Sequence, residues 1–305
     1  MERIDFHAMG CDMSAALDSE EPEAALRLAG VPQWFRIWEG RLSRFLEDSE
    51  LSQINRAPGQ VHLISPVMAE VIQTAFEAAE ASEGIVVPTI LQALEAAGYD
   101  RSFDQITPRQ TTLEVMPIFV GNWHEIEFNP RSRSLRTPKG VRLDLGGVAK
   151  GWAADRAAGR LSRFGPAMVD AGGDIAVSGP KADGRPWAIG VADPRNPEGR
   201  LALLQIKRGG VATSGRDYRR WKVNGDWRHH LIDPRTGQPA VTDVFSVTVV
   251  APSVREAEIS AKVVAVLGSQ EGLEWLDQRK SVAGLLVLET EEVLQSQGMK
   301  SYLWS

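Results

Sequence analysis

Residues 142–155, RLDLGGVAKGWAAD, carry the densest chemical pattern in the chain. A charged–apolar alternation (Arg142, Leu143, Asp144, Leu145) reads as a strand end, and Gly146 and Gly147 break it. An Ala-rich helical pattern then runs from about Val148 to about Arg163. A Gly pair before a helix lets backbone come close to a ligand, and the unpaired N–H groups and positive dipole end favour an anion there. Lys150, in the first helical turn, adds a full positive charge. The segment therefore reads as a phosphate cradle. It is neither the dinucleotide fingerprint nor the P-loop, and from this segment alone a tight strand-to-helix turn explains the glycines equally well.

Four further segments could do chemistry. Ala171-Gly172-Gly173-Asp174 places a second Gly pair between carboxylates, Asp170 and Asp174, where backbone and a ribose-type hydroxyl could meet; a bulge or turn is the plainer reading. Val211 to Gly215 ends a strand in Thr213 and Ser214, whose hydroxyls suit phosphate or sugar oxygens or a self-capped turn. His229-His230-Leu231-Ile232-Asp233-Pro234-Arg235-Thr236-Gly237 gathers groups able to bind phosphate or move a proton. Adjacent residues on a strand face opposite ways, so only one of the two His can face a site. The helical run Ala257–Leu267 is apolar except for Glu258 and Lys262, spaced i,i+4. A helix apolar all round is buried, and charges on it must be paired or face a cavity.

The elements that position these groups read as follows. Residues 3–17 are strand-like, 22–46 helical with Leu26, Trp34, Ile37 and Leu42 toward the core, and 66–83 helical with Ser65 as N-cap and Pro66 at the start. Leu91 to Ala97 form a short helix that Gly98 ends. Residues 117–145 and 167–230 are strands and turns, with Asn129-Pro130 a turn and Asn224-Gly225 a hairpin. A strand at 244–250, a helix at 254–267 and a strand at 283–289 follow. Helices and strands intersperse without regular βαβ spacing, which reads as α+β.

Composition narrows the function. The 305 residues are 43% hydrophobic and 24% charged, as in globular proteins, and the net charge of −6 leaves no electrostatic footprint for nucleic acid. One cysteine, Cys11, excludes an internal disulfide framework and Cys-based zinc sites. No basic-then-apolar leader opens the chain, and no stretch approaches the roughly 18 apolar residues of a membrane span, so a cytoplasmic location is expected.

Taken in order, Met9-Gly10, Ser43-Arg44-Phe45, Ser49-Glu50-Leu51 with Asn55, DLGGVAKGWAAD at 144–155, AGGD at 171–174, ATSG at 212–215 and HLIDPRTGQP at 230–239 resemble the ApbE family, the FAD:protein FMN transferases. The resemblance implies one domain over residues 1–305, a single two-lobed α+β unit with mixed or antiparallel sheets and packed helices. It implies FAD as donor substrate, a partner protein bearing a Ser or Thr flavinylation site, and release of AMP. It implies a magnesium ion that bridges the phosphates as Lewis acid and template. Carried over by position, Met9, Gly10, Ser43, Gly146, Gly147, Lys150, Asp155, Gly173, Asp174, Thr213, Ser214 and Asp233 help bind FAD, and His230 lies near the pyrophosphate. The family's metal is held by a backbone carbonyl, here Ala149, and by an Asp and a Thr on the C-terminal helix in a pattern like A-D-A-x-x-T.

This chain departs from that pattern: Glu258 stands for the Asp and Lys262 for the Thr. Cys11 replaces the usual Thr after Met-Gly, and Val87 an Asp before Pro88-Thr89. Magnesium takes hard oxygen ligands, and an ammonium cannot ligate it. The substitution therefore predicts that Lys262 takes the cation position, held by Glu258, and that the catalytic set is His230, Lys262 and Glu258. Loss of the metal also opens the alternatives of a flavin binder without transferase activity and of an FAD pyrophosphatase. A nucleotide-sugar binding domain would share the Gly pairs but not the whole series.

Overall fold

The computed structural model describes residues 1–107, 118, 120–196 and 198–304. Their elements in chain order are β1 (Glu2–Ala8), β2 (Cys11–Leu17), α1 (Pro22–Ala29), α2 (Val31–Leu42), α3 (Glu50–Arg56), β3 (His62–Leu63), α4 (Pro66–Ala81) and α5 (Leu91–Ala96). Then come β4 (Glu127–Asn129), β5 (Ser134–Arg136), α6 (Ala149–Leu161), β6 (Ala167–Ala171), β7 (Ile175–Val177), β8 (Trp187–Ala192), β9 (Arg200–Ile206) and β10 (Gly209–Gly215). The chain ends with β11 (Arg220–Val223), β12 (Asp226–His229), β13 (Ile232–Asp233), β14 (Gln238–Pro239), β15 (Val244–Ala251), α7 (Val254–Leu267), α8 (Ser269–Asp277), β16 (Ala283–Leu288) and β17 (Val293–Gln295). The fold is α+β, and none of the described helices is long and apolar enough to cross a membrane.

The described residues divide into two compact units. The first is made of Met1–Arg36, Lys150–Asp217 and Thr242–Ser305. Its frame is an antiparallel sheet in the order β1-β2-β6-β7-β10-β15-β16-β17. Met9 and Gly10, both left-handed at φ 50° and 67°, close the β1–β2 hairpin in the primed geometry that matches strand twist. The β8–β9 ribbon packs Trp187, Ile189 and Leu204 against Val211, Val250 and Leu285 of the sheet. Helix α7 lies on β10 and β15. Gly210 makes that approach possible, because a Cβ there would stand 2.2 Å from the Val254 nitrogen. Ser253 caps α7 by accepting from Glu256 N–H, and Gly268 (φ 91°) ends it.

The second unit is Ile37–Ala149 with Tyr218–Val241. It holds the sheet β3-β5-β4 and the pairs β11–β12 and β13–β14. Trp221, donating its indole N–H to the Ala97 carbonyl at 2.8 Å, packs with Leu94, Tyr99, Val223 and Ile232. Ser65 caps α4 as its sequence position predicts, and Asn224-Gly225 turns β11 into β12.

Several local expectations are corrected. Residues 3–17 are strand, as expected, folded into a hairpin at Met9-Gly10. The expected helix 22–46 is two helices, because Gly30 and Pro32 interrupt it. The buried face nevertheless runs on across the break, through Ala24, Leu28, Val31, Phe35, Trp38 and Leu42, and Leu26 and Ile37 fall on the opposite face, 71% and 51% exposed. Residues 142–145 are not a strand. The Asn55 side chain instead serves Leu143 as a ladder partner would, accepting from its N–H at 2.7 Å and donating to its carbonyl at 2.8 Å. Within the strand region expected at 117–145, residues 117 and 119 lie outside the described residues. Helices α3 and α8 are additional.

Candidate functional site

In the first unit, Lys150 and Lys262 meet Asp174 and Glu258. Lys150 is in the first turn of α6, and its ammonium donates to Asp174 Oδ2. It also stands 4.0 Å from Glu258 Oε1. Lys262, one turn along α7 from Glu258, donates to that same oxygen at 3.0 Å. The other carboxylate oxygen, Oε2, accepts the N–H of Gly151 at 3.0 Å. The two carboxylate side chains are 3% and 1% exposed and the two lysine side chains 17% each. Burial pushes the Glu258 carboxyl above the usual range; the Lys262 charge opposes this, Asp174 adds to it, and Lys150 opposes it.

The i,i+4 spacing of Glu258 and Lys262 is legible in sequence, but its consequence is not. The anion at the N-terminal turn of α6 is the protein's own Glu258. That carboxylate sits where a helix start favours negative charge, so one N–H of the cradle is already engaged. Gly151 is what admits it, since a Cβ there would lie 2.6 Å from Glu258 Oε2.

The neighbouring segments of this unit support the cluster. AGGD is the β6–β7 turn: Ala171 N–H donates to the Asp174 carbonyl, and Gly173 N–H donates to Asp170 Oδ1 at 2.7 Å. Burial lifts the Asp170 carboxyl; the Gly173 N–H opposes this, Asp174 adds to it, and Lys150 opposes it. A Cβ on Gly172 would stand 2.7 Å from Cys11 Cβ, which ties this turn to the strand after the Met9-Gly10 turn. Thr213 and Ser214 lie within β10 rather than in a turn. Thr213 Oγ1 shares a hydrogen bond of 2.8 Å with Thr248 Oγ1, and Ser214 is buried. Asp155 accepts from the N–H groups of Val254 and Arg255, both at 3.1 Å, and so caps the start of α7.

In the second unit, Asp144 organises the Gly146-Gly147 turn by accepting Gly146 N–H at 2.9 Å. Its other oxygen meets Arg44 Nε at 2.7 Å in a pair only 6% and 10% exposed. Arg44 also donates to the Tyr99 carbonyl and lies over the Phe45 and Tyr99 rings. This pair was not anticipated as a site element, though Ser43-Arg44-Phe45 and Asp144-Leu145-Gly146-Gly147 both stood out as motifs. Ser43 belongs to a local turn, its Oγ accepting from Phe45 N–H. Ala149 is the first residue of α6. Of the two histidines, His229 is buried with Nε2 3.1 Å from the Ala240 carbonyl. His230 is half-buried just beyond β12, its Nδ1 3.4 Å from the Arg219 carbonyl. Asp233 holds Arg235 through both carboxylate oxygens and fixes the β13–β14 turn.

These donors do not suit magnesium. Both Glu258 oxygens are engaged, and two ammonium groups flank Oε1 where an octahedral cation would need further oxygen ligands. No group of three His, Cys, Asp or Glu side chains able to hold a metal is found among the described residues.

Comparison with known proteins gives consistent matches. The ApbE family profile matches residues 9–286. An FAD:protein FMN transferase of Haemophilus influenzae is 30% identical over 264 residues, covering 82% of this chain and 75% of that protein. One from Chlamydia pneumoniae is 32% identical over 238 residues, covering 75% and 73%. The crystal structure of the ApbE protein from Thermotoga maritima superposes with a TM-score of 0.89 at 27% identity, covering 100% of this chain and 99% of that one. The apo flavinyl transferase ApbE of Pseudomonas stutzeri shares the fold with a TM-score of 0.81 at 21% identity, covering 98% and 96%.

Proposed function

The chain belongs to the ApbE family, and on that premise we propose that it is an FAD:protein FMN transferase. A Ser or Thr hydroxyl oxygen of a partner protein attacks the FMN-side phosphorus of FAD. The bond from that phosphorus to the bridging oxygen breaks, AMP leaves with that oxygen, and the hydroxyl proton passes to a base.

The observation that carries this reading into the present chain is the cluster Lys150, Lys262, Asp174 and Glu258 at the start of α6. Phosphoryl transfer is catalysed mainly by positioning and by stabilising charge on the phosphate oxygens. Two ammonium groups, each fixed by a buried carboxylate, supply cations that need not reorganise as charge develops. The Lys262 ammonium takes the role of the divalent cation toward the diphosphate, and Glu258 holds it in place. His230, an imidazole on the HLIDPRTG turn, is our choice for the proton acceptor. Met9, Gly10, Ser43, Gly146, Gly147, Gly173, Thr213, Ser214 and Asp233 are assigned to the binding of FAD on their match to the family motifs, and Asp155 to support of α7.

The test is incubation with FAD and a candidate acceptor, with magnesium or with EDTA. AMP release with flavin fluorescence on the acceptor band, unchanged by EDTA, is the expected result. AMP with free FMN and no labelled acceptor means a pyrophosphatase, and FAD binding without AMP means a binder; either overturns transfer. Calorimetry with magnesium alone reads the cation separately: no heat is expected for the wild type, and binding appears in the double variant Glu258→Asp, Lys262→Thr.

A further inference from the structure

The second unit buries an ion pair, Arg44 with Asp144, that no step of the transfer uses. Arg44 Nε meets Asp144 Oδ2 at 2.7 Å, and the two side chains are 6% and 10% exposed. The guanidinium is held by other groups as well. It donates to the Tyr99 carbonyl at 2.9 Å and lies 4.1 Å and 4.6 Å from the centroids of the Phe45 and Tyr99 rings. Aromatic faces and a second acceptor leave an arginine little rotamer freedom. An arginine fixed in this way also fixes the carboxylate that it pairs with.

Asp144 passes the constraint on to the glycine turn. Its Oδ1 accepts Gly146 N–H at 2.9 Å, and a Cβ on Gly146 would stand 3.1 Å from that oxygen. Residues 143–145 belong to no strand, so no ladder sets their course. Asn55 holds both polar groups of the Leu143 backbone, the Pro88 carbonyl accepts Asp144 N–H at 2.8 Å, and Arg44 holds the Asp144 side chain. With Gly146 N–H engaged, the next donor is Gly147 N–H, which meets no acceptor among the described residues. An uncancelled carboxylate this close to the turn would repel an anion arriving at that donor, and the more strongly for being shielded from water. The Arg44 guanidinium cancels the charge.

We propose that Arg44 is a positioning residue for the diphosphate of FAD. Acting through Asp144, it orders the Gly146-Gly147 turn and removes the carboxylate's repulsion of an anion at Gly147. The inference rests on the transferase reading, which assigns these glycines to FAD.

FAD affinity is read by quenching of flavin fluorescence, with the melting temperature beside it, in three variants. Arg44→Gln and Asp144→Asn each leave one buried charge unpaired, so both melt below the wild type. Their affinities part. Arg44→Gln weakens FAD binding at least tenfold, because the carboxylate beside the turn is bare. Asp144→Asn keeps an oxygen for Gly146 N–H and leaves the Arg44 charge uncancelled, so it binds FAD at least as tightly as the wild type. The double variant buries neither charge, which keeps the test open where Arg44→Gln does not fold, and its affinity is within threefold of the wild type. Loss of affinity in both single variants means that binding only follows fold stability, and overturns the proposal. So does an undiminished affinity in Arg44→Gln, or a tenfold loss in the double variant. Inorganic diphosphate, titrated by calorimetry, separates this inference from the transferase reading. A wild type that binds diphosphate but not FAD sinks the transferase reading, and the same variants then read the turn on diphosphate. A wild type that binds neither overturns both.

Discussion

One substitution at two glycines of α6 should have opposite signs. At Gly151 an added Cβ falls 2.6 Å from Glu258 Oε2 and 3.3 Å from the backbone of Arg255. The carboxylate is 1% exposed and held on both oxygens, so it cannot swing aside without losing a partner. Losing the charge-assisted bond from Gly151 N–H costs about 1.5–3 kcal/mol, against a gain of about 1 kcal/mol in helix propensity. Gly151→Ala is therefore destabilised by about 0.5–2 kcal/mol. Gly159→Ala meets open space and keeps only the gain of about 1 kcal/mol. In a protein of 305 residues that is a fall of about 1–3 °C in melting temperature for the first and a rise of about 1.5 °C for the second. Thermal melts of the two variants beside the wild type decide the matter. Gly151→Ala also displaces the anchor of both lysines, so its FAD affinity falls while that of Gly159→Ala does not. If both variants melt above the wild type, Glu258 is not packed against the start of α6, and the reasoning about the cluster fails with it.

Lys262→Met leaves the Glu258 carboxylate with Lys150 at 4.0 Å and the Gly151 N–H; breaking a buried pair of this kind costs about 3–5 kcal/mol, read by denaturant unfolding, and FAD binding weakens in flavin fluorescence. Asp155→Asn tests a titration. Burial raises the Asp155 carboxyl above its ordinary value, against the Val254 and Arg255 N–H groups and the Arg255 charge. Its folded state therefore holds the proton more tightly than the unfolded chain, and that contribution to stability is lost as pH rises from about 4 through the raised value. The difference in stability between Asp155→Asn and wild type accordingly moves in favour of the variant from pH 4 to neutrality, and a gap moving the other way refutes the assignment. Ser65→Ala removes the cap that accepts from Met68 N–H and costs about 1 kcal/mol in thermal melts, with no change in FAD affinity.

Local chemistry explains which features were readable from the residues. Asn224-Gly225 specifies its hairpin because both positions need left-handed backbone, and Ser65-Pro66 specifies a helix start for equally local reasons. The run Ala257–Leu267 is apolar except for Glu258 and Lys262, which made their pairing on a buried helix readable. What joins Glu258 to Gly151 is a contact over 107 positions, and what joins Arg44 to Asp144 is one over about 100; no periodicity records either. Leu26 and Ile37 failed as core positions because they share the face opposite the buried stripe Ala24, Leu28, Val31, Phe35, Trp38 and Leu42. The metal question followed the same division: the identities of Glu258 and Lys262 were plain, but only the coordinates show that the carboxylate caps α6.

The first unit is assembled from three separated stretches of chain, and this gives its synthesis a time order. Strand β2 ends at Leu17 and its partner β6 begins at Ala167, so at about 5–20 residues per second the hairpin emerges roughly 8–30 seconds before its neighbour. The second unit has all its residues once Val241 is made, whereas β15, α7 and β16 follow later. Lys150 and Asp174 can meet midway through translation, but Glu258 and Lys262 arrive in the last stretch. A chain released early therefore lacks half of the ammonium pair and the anion that caps α6, so any flavin chemistry resting on that pair waits for a nearly finished polypeptide.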